Sequence, residues 1–149
     1  MKFPEPMRRI LSETVVKEHA DDYTVVSVKL DEEAKARSLL RDLQPFSSVT
    51  YDNNEVSVVL RASDWERLKG EFSGFDEAGP YKLLTFDIVL DLSIVGFLSV
   101  VSAVLAEKDV SIYALSTYLR DHILVRKEDS PRAVAALRKL IEEYRRLRT

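Results

Sequence analysis

The residues best suited to chemistry lie in two short segments of the C-terminal half. The first, Asp91-Leu-Ser-Ile-Val-Gly96, joins a predicted strand to a predicted helix. Free backbone N–H groups at a helix N-terminus attract anions such as a carboxylate, and Gly96 allows the chain to turn tightly and to approach a ligand closely. The same pattern is equally typical of a turn glycine and a helix cap that bind nothing.

The second segment carries the hydroxyl groups of Ser111, Ser116 and Thr117 along one predicted strand, followed by the acid Asp121. An acid at a strand start can hold a cationic group by a charge-assisted hydrogen bond, although turn acids are common. One segment therefore suits negative charge and the other positive charge. Together they predict a pocket for a small polar molecule, and a basic amino acid fits it better than an acidic one.

Catalytic and metal-binding patterns are missing from the sequence. The chain has no cysteine, two histidines and four glycines. It contains no G-x-S-x-G elbow and no phosphate-loop or dinucleotide glycine pattern. Neither His19 nor His122 belongs to a motif with metal-ligand spacing. We therefore predict a protein that is not an enzyme and that uses neither a cofactor nor a metal.

Composition indicates a globular protein of ordinary balance. The 149 residues are 46% hydrophobic and 32% charged, with a formal net charge of −3. This charge argues against general attraction to nucleic acid, and the N-terminal residues lack the apolar core of a signal peptide. The most apolar run, 94–106, is short and interrupted by serines, which argues against a membrane span. We expect a cytoplasmic protein.

Hydrophobic periodicity and turn residues predict the same order of elements in each half: strand, helix, strand, strand, helix. A linker is expected at Ser73–Pro80, which contains two glycines and one proline. In the first half this order begins at a strand at 23–30, which follows an additional strand at 10–17 and a turn at 20–22. It continues with a helix from Asp31, strands at 47–51 and 55–61 joined by a hairpin at Asp52-Asn-Asn54, and a second helix opened by the capping box at Ser63–Glu66. In the second half we predict a strand at 84–92, a helix at 97–108, strands at 110–118 and 122–127, and a last helix from Ser130.

This repeated order predicts the α+β class, with two ferredoxin-like βαββα units packed as α/β sandwiches. Two small α+β halves could also share a topology by chance. The helix at 97–108 is apolar nearly all round, so a second surface is expected to cover it. Either the other half of the chain or a second subunit could do so, and we predict at least a dimer.

The stretch 90–125 resembles the ACT-domain family, in particular the branch of the cytosolic arginine sensors and of small two-domain prokaryotic proteins. The matching sequence motifs are Asp91-Leu-Ser-x-x-Gly96, Leu105-Ala-Glu107, Val110-Ser-Ile112 and Ser116-Thr-Tyr-x-x-Asp121. Where many ACT domains have a proline before the glycine, this chain has Val95. The first half has no glycine in its strand–helix loop, which makes it a degenerate unit. The resemblance implies a degenerate ACT-like unit at 1–75 and an ACT domain at 80–149.

The resemblance also implies a regulatory protein that binds an amino acid or a similar small polar ligand and acts on a separate, unknown partner. Gly96 and its neighbours would meet the ligand backbone, and the second segment would line its side-chain end. The implied ligand-binding residues are Asp91, Ser93, Ile94, Val95, Gly96, Ile112, Ser116, Thr117, Tyr118 and Asp121. The alternative is a scaffold that binds no ligand and serves only assembly.

Overall fold

The computed structural model describes residues 5–147. Its five helices are α1 (Glu5–Glu13), α2 (Glu33–Leu39), α3 (Ala62–Leu68), α4 (Phe97–Glu107) and α5 (Ser130–Leu147). Its six strands are β1 (Val15–Val28), β2 (Ser48–Tyr51), β3 (Val56–Arg61), β4 (Phe75–Asp87), β5 (Tyr113–Ser116) and β6 (Asp121–Arg126). The α+β class predicted from the sequence is confirmed.

The chain forms two compact units, one made of Met1–Ala20 with Lys82–Thr149 and the other of Asp21–Tyr81. We call them the outer-segment unit and the inserted unit. Hydrogen-bonded strands follow the order β1-β4-β6-β5 in the outer-segment unit and β2-β3-β1-β4 in the inserted unit. The sequence places the first 20 residues with the inserted unit, whereas this division places them with the C-terminal residues. The domain limits 1–75 and 80–149 stay a prediction.

The outer-segment unit is built around α4 and α5. The buried face of α4 consists of Phe97, Val100, Val101 and Leu105. Phe97 meets Phe86 edge to face, with ring centroids 5.3 Å apart, a favoured aromatic geometry. The opposite face carries small exposed residues, Ser99, Ala103 and Ala106. The cover expected for this apolar helix is thus provided on one face by its own unit.

The inserted unit has a separate core around Trp65, which is 1% exposed. Strands β1 and β3 are antiparallel, with Val26 opposite Val58 and Val28 opposite Val56. The β2–β3 turn is the predicted hairpin, in which Asp52 Oδ1 accepts hydrogen bonds from the backbone N–H groups of Asn54 and Glu55. Local turn chemistry was therefore sufficient to identify this hairpin.

The N-terminal prediction was wrong. Residues 10–13 end helix α1 rather than begin a strand, because Met7, Ile10 and Leu11 form a buried stripe at helical spacing. Strand β1 then runs without a break from Val15 to Val28, so the turn expected at residues 20–22 is absent from it. Asp21 is an exposed strand position and Asp22 is a half-buried one.

Three further boundaries differ from prediction. Most of the expected linker, from Phe75 onward, belongs to β4, which ends at Asp87 rather than at Leu92. Helix α3 begins at Ala62 after Arg61, with no side-chain cap, so the capping box at Ser63 does not form.

Between residues 5 and 147, no helix is both long enough and apolar enough to cross a bilayer.

Candidate ligand cavity

The loop between β4 and α4 is held by an aspartate turn. Asp91 Oδ1 accepts hydrogen bonds from Ser93 N at 2.8 Å and from Ser93 Oγ at 2.5 Å. These bonds hold the pKa of Asp91 below its ordinary value. Ile94 N donates to the Asp91 carbonyl oxygen at 3.0 Å. Asp91 thus keeps one carboxylate oxygen engaged in the turn, and the loop reaches α4 in a fixed path.

Gly96 is the N-cap residue of α4. Its φ of 101° and ψ of −3° lie in the left-handed region, which glycine adopts at little cost. No side chain caps the helix, so the first-turn N–H groups of this 11-residue helix remain available as donors. This end of α4 can therefore meet a negatively charged or acceptor group.

The β5–β6 hairpin tip faces the same region with acceptor groups. Ser116 Oγ donates to Asp121 Oδ1 at 2.7 Å, and Thr117 Oγ1 donates to the Arg120 carbonyl oxygen at 3.0 Å. Both hydroxyl protons are thereby occupied inside the hairpin. Leu90 N, in the loop before α4, donates to the Leu119 carbonyl oxygen at 2.8 Å and so links the loop to the hairpin.

A cavity of about 450 Å³ lies between the loop and the hairpin tip. Seven of the ten residues predicted from the sequence line it: Asp91, Ile94, Val95, Gly96, Ser116, Thr117 and Asp121. Sequence reasoning missed Leu90, Leu92, Phe97, Leu98, Ser99 and Arg120, which also line it. All but Arg120 immediately flank the predicted loop residues, so extending that segment by a few positions would have found them.

The other three predicted residues lie elsewhere. Ser93 and Tyr118 line a neighbouring cavity of about 760 Å³, together with residues of α1. The Tyr118 side chain is 77% exposed. Ile112 is half-buried and packs against the core of the outer-segment unit. Nine of the ten predicted residues therefore line one or both of two adjacent cavities, which share Leu90, Asp91, Leu92 and Ile94.

Arg120 contributes a cation to the cavity wall, but an acid holds it. Its Nε donates to Asp87 Oδ1 at 3.0 Å, and Lys17 Nζ lies 3.1 Å from Asp87 Oδ2. These two cations hold the pKa of Asp87 below its ordinary value. The Arg120 head group is thus drawn toward Asp87.

Behind the hairpin tip lies a row of polar side chains that links Thr117 to β4 and β1. Thr117 Oγ1 is 3.1 Å from His122 Nε2, and Thr85 Oγ1 is 2.9 Å from His122 Nδ1. His19 Nε2 is 2.8 Å from the same Thr85 oxygen. His122 and Thr85 are buried, at 7% and 8% exposure. Within residues 5–147, no group of three or more His, Cys, Asp or Glu side chains could hold a metal ion.

Comparison with solved structures shows the fold. A Vibrio cholerae protein of unknown function is 22% identical, with a TM-score of 0.71 over 92% of this chain and 97% of that one. The regulatory subunit of aspartate kinase from Thermus thermophilus is 11% identical, with a TM-score of 0.60 over 84% of this chain and 95% of that one. Clostridium acetobutylicum aspartate kinase, described as an allosteric enzyme, is 14% identical, with a TM-score of 0.67 over 86% of this chain and 34% of that one.

Comparison by sequence matches part of the chain to one family model. No curated protein matches it significantly. A family model described as ACT domain matches residues 79–139, which include the loop, α4 and the β5–β6 hairpin around the cavity. The comparisons do not single out the arginine-sensor branch expected from the sequence. By sequence, residues 79–139 are similar to the ACT domain family.

Proposed function

We propose that this protein is a regulatory protein that binds an amino acid in the 450 Å³ cavity and transmits its presence to a separate partner. The observation that carries the proposal is the opposition of two kinds of group within an ACT-family segment. The N-terminus of α4 presents N–H donors, and the hairpin tip presents the acceptors Asp121, Ser116 and Thr117. An amino acid has a carboxylate for the first and an ammonium group for the second.

The hairpin tip favours a ligand with several N–H donors. The Ser116 and Thr117 protons are already donated within the hairpin, so both hydroxyls offer acceptor lone pairs to a ligand. Asp121 adds a carboxylate. Lysine or arginine would supply donors to this wall, whereas glutamate would bring a second acceptor group. We therefore propose a basic amino acid as the ligand class.

A thermal-shift screen with the twenty amino acids, followed by calorimetry, tests this function. A ligand at one hundred times its dissociation constant should add about 2.7 kcal/mol to the free energy of unfolding. Asp121→Ala should weaken lysine or arginine binding about 10- to 100-fold, because a hydrogen bond to a charged group is lost. Gly96→Val should also weaken binding. Asp31→Ala, an exposed acid in the inserted unit, is the control and should change nothing.

Unchanged affinity in both Asp121→Ala and Gly96→Val would place the binding site elsewhere. Absence of a thermal shift for every amino acid would instead favour the second candidate, a scaffold without a ligand. A specific observation supports that candidate. Apolar side chains are exposed beside the cavity: Val89 at 57%, Leu92 at 71%, Val95 at 89% and Tyr118 at 77%.

The same exposed side chains support a homodimer, since an apolar patch of this kind is typical of an interaction site. Sedimentation of the wild type should then show a dimer that Val95→Asp dissociates into monomers. Leu147→Asp, 76% exposed at the end of α5, is the matched control and should leave the dimer intact. A wild-type monomer at high micromolar concentration would contradict the dimer.

We also propose that the chain contains two ferredoxin-like βαββα units and that the protein is cytoplasmic.

A further inference from the structure

The row of side chains behind the hairpin has one consistent direction of proton donation. Thr117 has a single hydroxyl proton, and it is given to the Arg120 carbonyl oxygen. The proton in the 3.1 Å contact with His122 must then come from Nε2 of the imidazole. A neutral imidazole has one ring proton, so Nδ1 of His122 is an acceptor and Thr85 donates to it.

The proton in the next contact of the row, between Thr85 and His19, is fixed in the same way. Because the Thr85 proton is given to His122, the 2.8 Å contact between Thr85 and His19 requires a proton on His19 Nε2. The order of donation is therefore His19 to Thr85 to His122 to Thr117. A second proton on His122 would sit on Nδ1 and face the Thr85 hydroxyl proton. The 2.9 Å contact would then have two protons and no acceptor.

The surroundings of His122 do not favour an added positive charge. Burial lowers the pKa of His122 below its ordinary value, and His19 on β1 and Arg120 lower it further, while Asp121 raises it. Asp87 on β4 is engaged by Lys17 and Arg120. On β5, the residue paired with His122 is Leu115, which carries no charge. Protonation of His122 must therefore disturb its contacts.

We propose that proton uptake by His122 and ligand binding in the cavity exclude each other, so that the cavity is a pH-sensitive binding site. Thr117 lines the cavity and accepts the Nε2 proton of His122, so an imidazole that becomes positively charged stays next to the cavity wall. A cation bound at Asp121 would add a further positive charge next to His122. This inference rests on the proposed amino-acid function for its ligand, but the coupling of His122 to the hairpin tip does not.

The coupling is tested first without a ligand. Histidine titrates near neutral pH whereas Asp, Glu, Lys and Arg do not, and the chain has only two histidines. NMR of the full chain between pH 7.5 and 5 should show His122 with its proton on Nε2 and a titration below 6.5. The Thr117 amide should shift with the same midpoint, and His122→Gln should abolish that shift. The inference would be overturned if the Thr117 amide shift did not follow the titration of His122, or if neutral His122 carried its proton on Nδ1.

Calorimetry with lysine and arginine tests the exclusion itself, because neither ligand changes charge between pH 5 and 7.5. Below the midpoint of His122, affinity should fall about tenfold for each pH unit. His122→Gln should bind with an affinity independent of pH, since its amide can still donate to Thr117. His19→Gln should retain the pH dependence and shift its midpoint upward, because a repelling charge is removed.

These outcomes separate the two proposals. A wild-type affinity that does not vary with pH, or a His122→Gln affinity that still varies, would refute the exclusion. If neither lysine nor arginine binds, the basic-ligand proposal and the exclusion both fail, whereas the NMR result still decides whether His122 is coupled to the hairpin tip.

Discussion

Gly96 provides the sharpest test of the loop geometry. A Cβ built on this residue would have Met7 Cε as its nearest neighbour, at 4.0 Å, which is ordinary contact. Gly96→Ala would therefore create no clash, and its cost would come from the backbone alone. At φ of 101°, a residue with a Cβ costs about 1–2 kcal/mol more than glycine.

Gly70 is the matched control, because it lies in a 3-10 turn, Lys69–Glu71, and an added Cβ would have no neighbour within 4 Å. Gly70→Ala should be neutral or stabilise by up to about 1 kcal/mol, since it reduces the entropy of the unfolded chain. Denaturant unfolding of the three proteins should place Gly96→Ala about 1–3 kcal/mol below Gly70→Ala. In thermal unfolding, each kcal/mol corresponds to about 2–4 °C for a chain of this size.

Equal stability of the two variants would show that the loop does not impose a left-handed conformation at Gly96. The reasoning that α4 begins at a fixed, uncapped end beside the cavity would then fail. Lysine or arginine binding by Gly96→Ala provides a second measurement, since a loop that relaxes to avoid the strain would displace the N–H groups of α4.

Three further predictions concern buried residues. Tyr23→Phe should raise the free energy of unfolding by about 1 kcal/mol, because the Tyr23 hydroxyl is buried without a hydrogen-bond partner. Leu105→Ala should lower it by about 2–5 kcal/mol, because Leu105 is 0% exposed in the core of the outer-segment unit. Glu32 accepts hydrogen bonds from Ser73 and Gly74 that lower its pKa from 4.5 to about 2. The stabilisation that ionised Glu32 contributes should therefore be complete above pH 4.5 and be lost as the pH falls toward 2. Acid unfolding should show this loss in the wild type and in the control Glu33→Gln, but not in Glu32→Gln.

Sequence reasoning worked where a local signal decides the structure. The last helix was predicted from Ser130 and α5 begins there, and the turn residues at Asp52 identified the β2–β3 hairpin. It failed where distant contacts decide. The stretch around Pro80 has turn chemistry, yet pairing with neighbouring strands extends β4 through it. Local propensity is a weak prior that tertiary context overrides.

The cavity shows the same division. The strand–helix loop and the hairpin tip each carry recognisable residue types, so seven lining residues were predicted. The link between Thr117 and His19 was not, because it depends on β1, β4 and β6 lying side by side. Tyr118 was predicted as a site residue from its type and position; its side chain is 77% exposed and lines the neighbouring cavity, and its role stays a prediction.

The discontinuous outer-segment unit has a consequence for biosynthesis. Arg145 of α5 donates to the carbonyl oxygens of Ser12 and Thr14, which are 133 and 131 positions away along the chain. A ribosome would therefore release all of the inserted unit before α1 could acquire its partner helix. Helix α1 must remain without α5 while the residues between them are translated, since α1 packs on α5. A nascent chain stalled before α5 should present a protected inserted unit and a protease-sensitive α1.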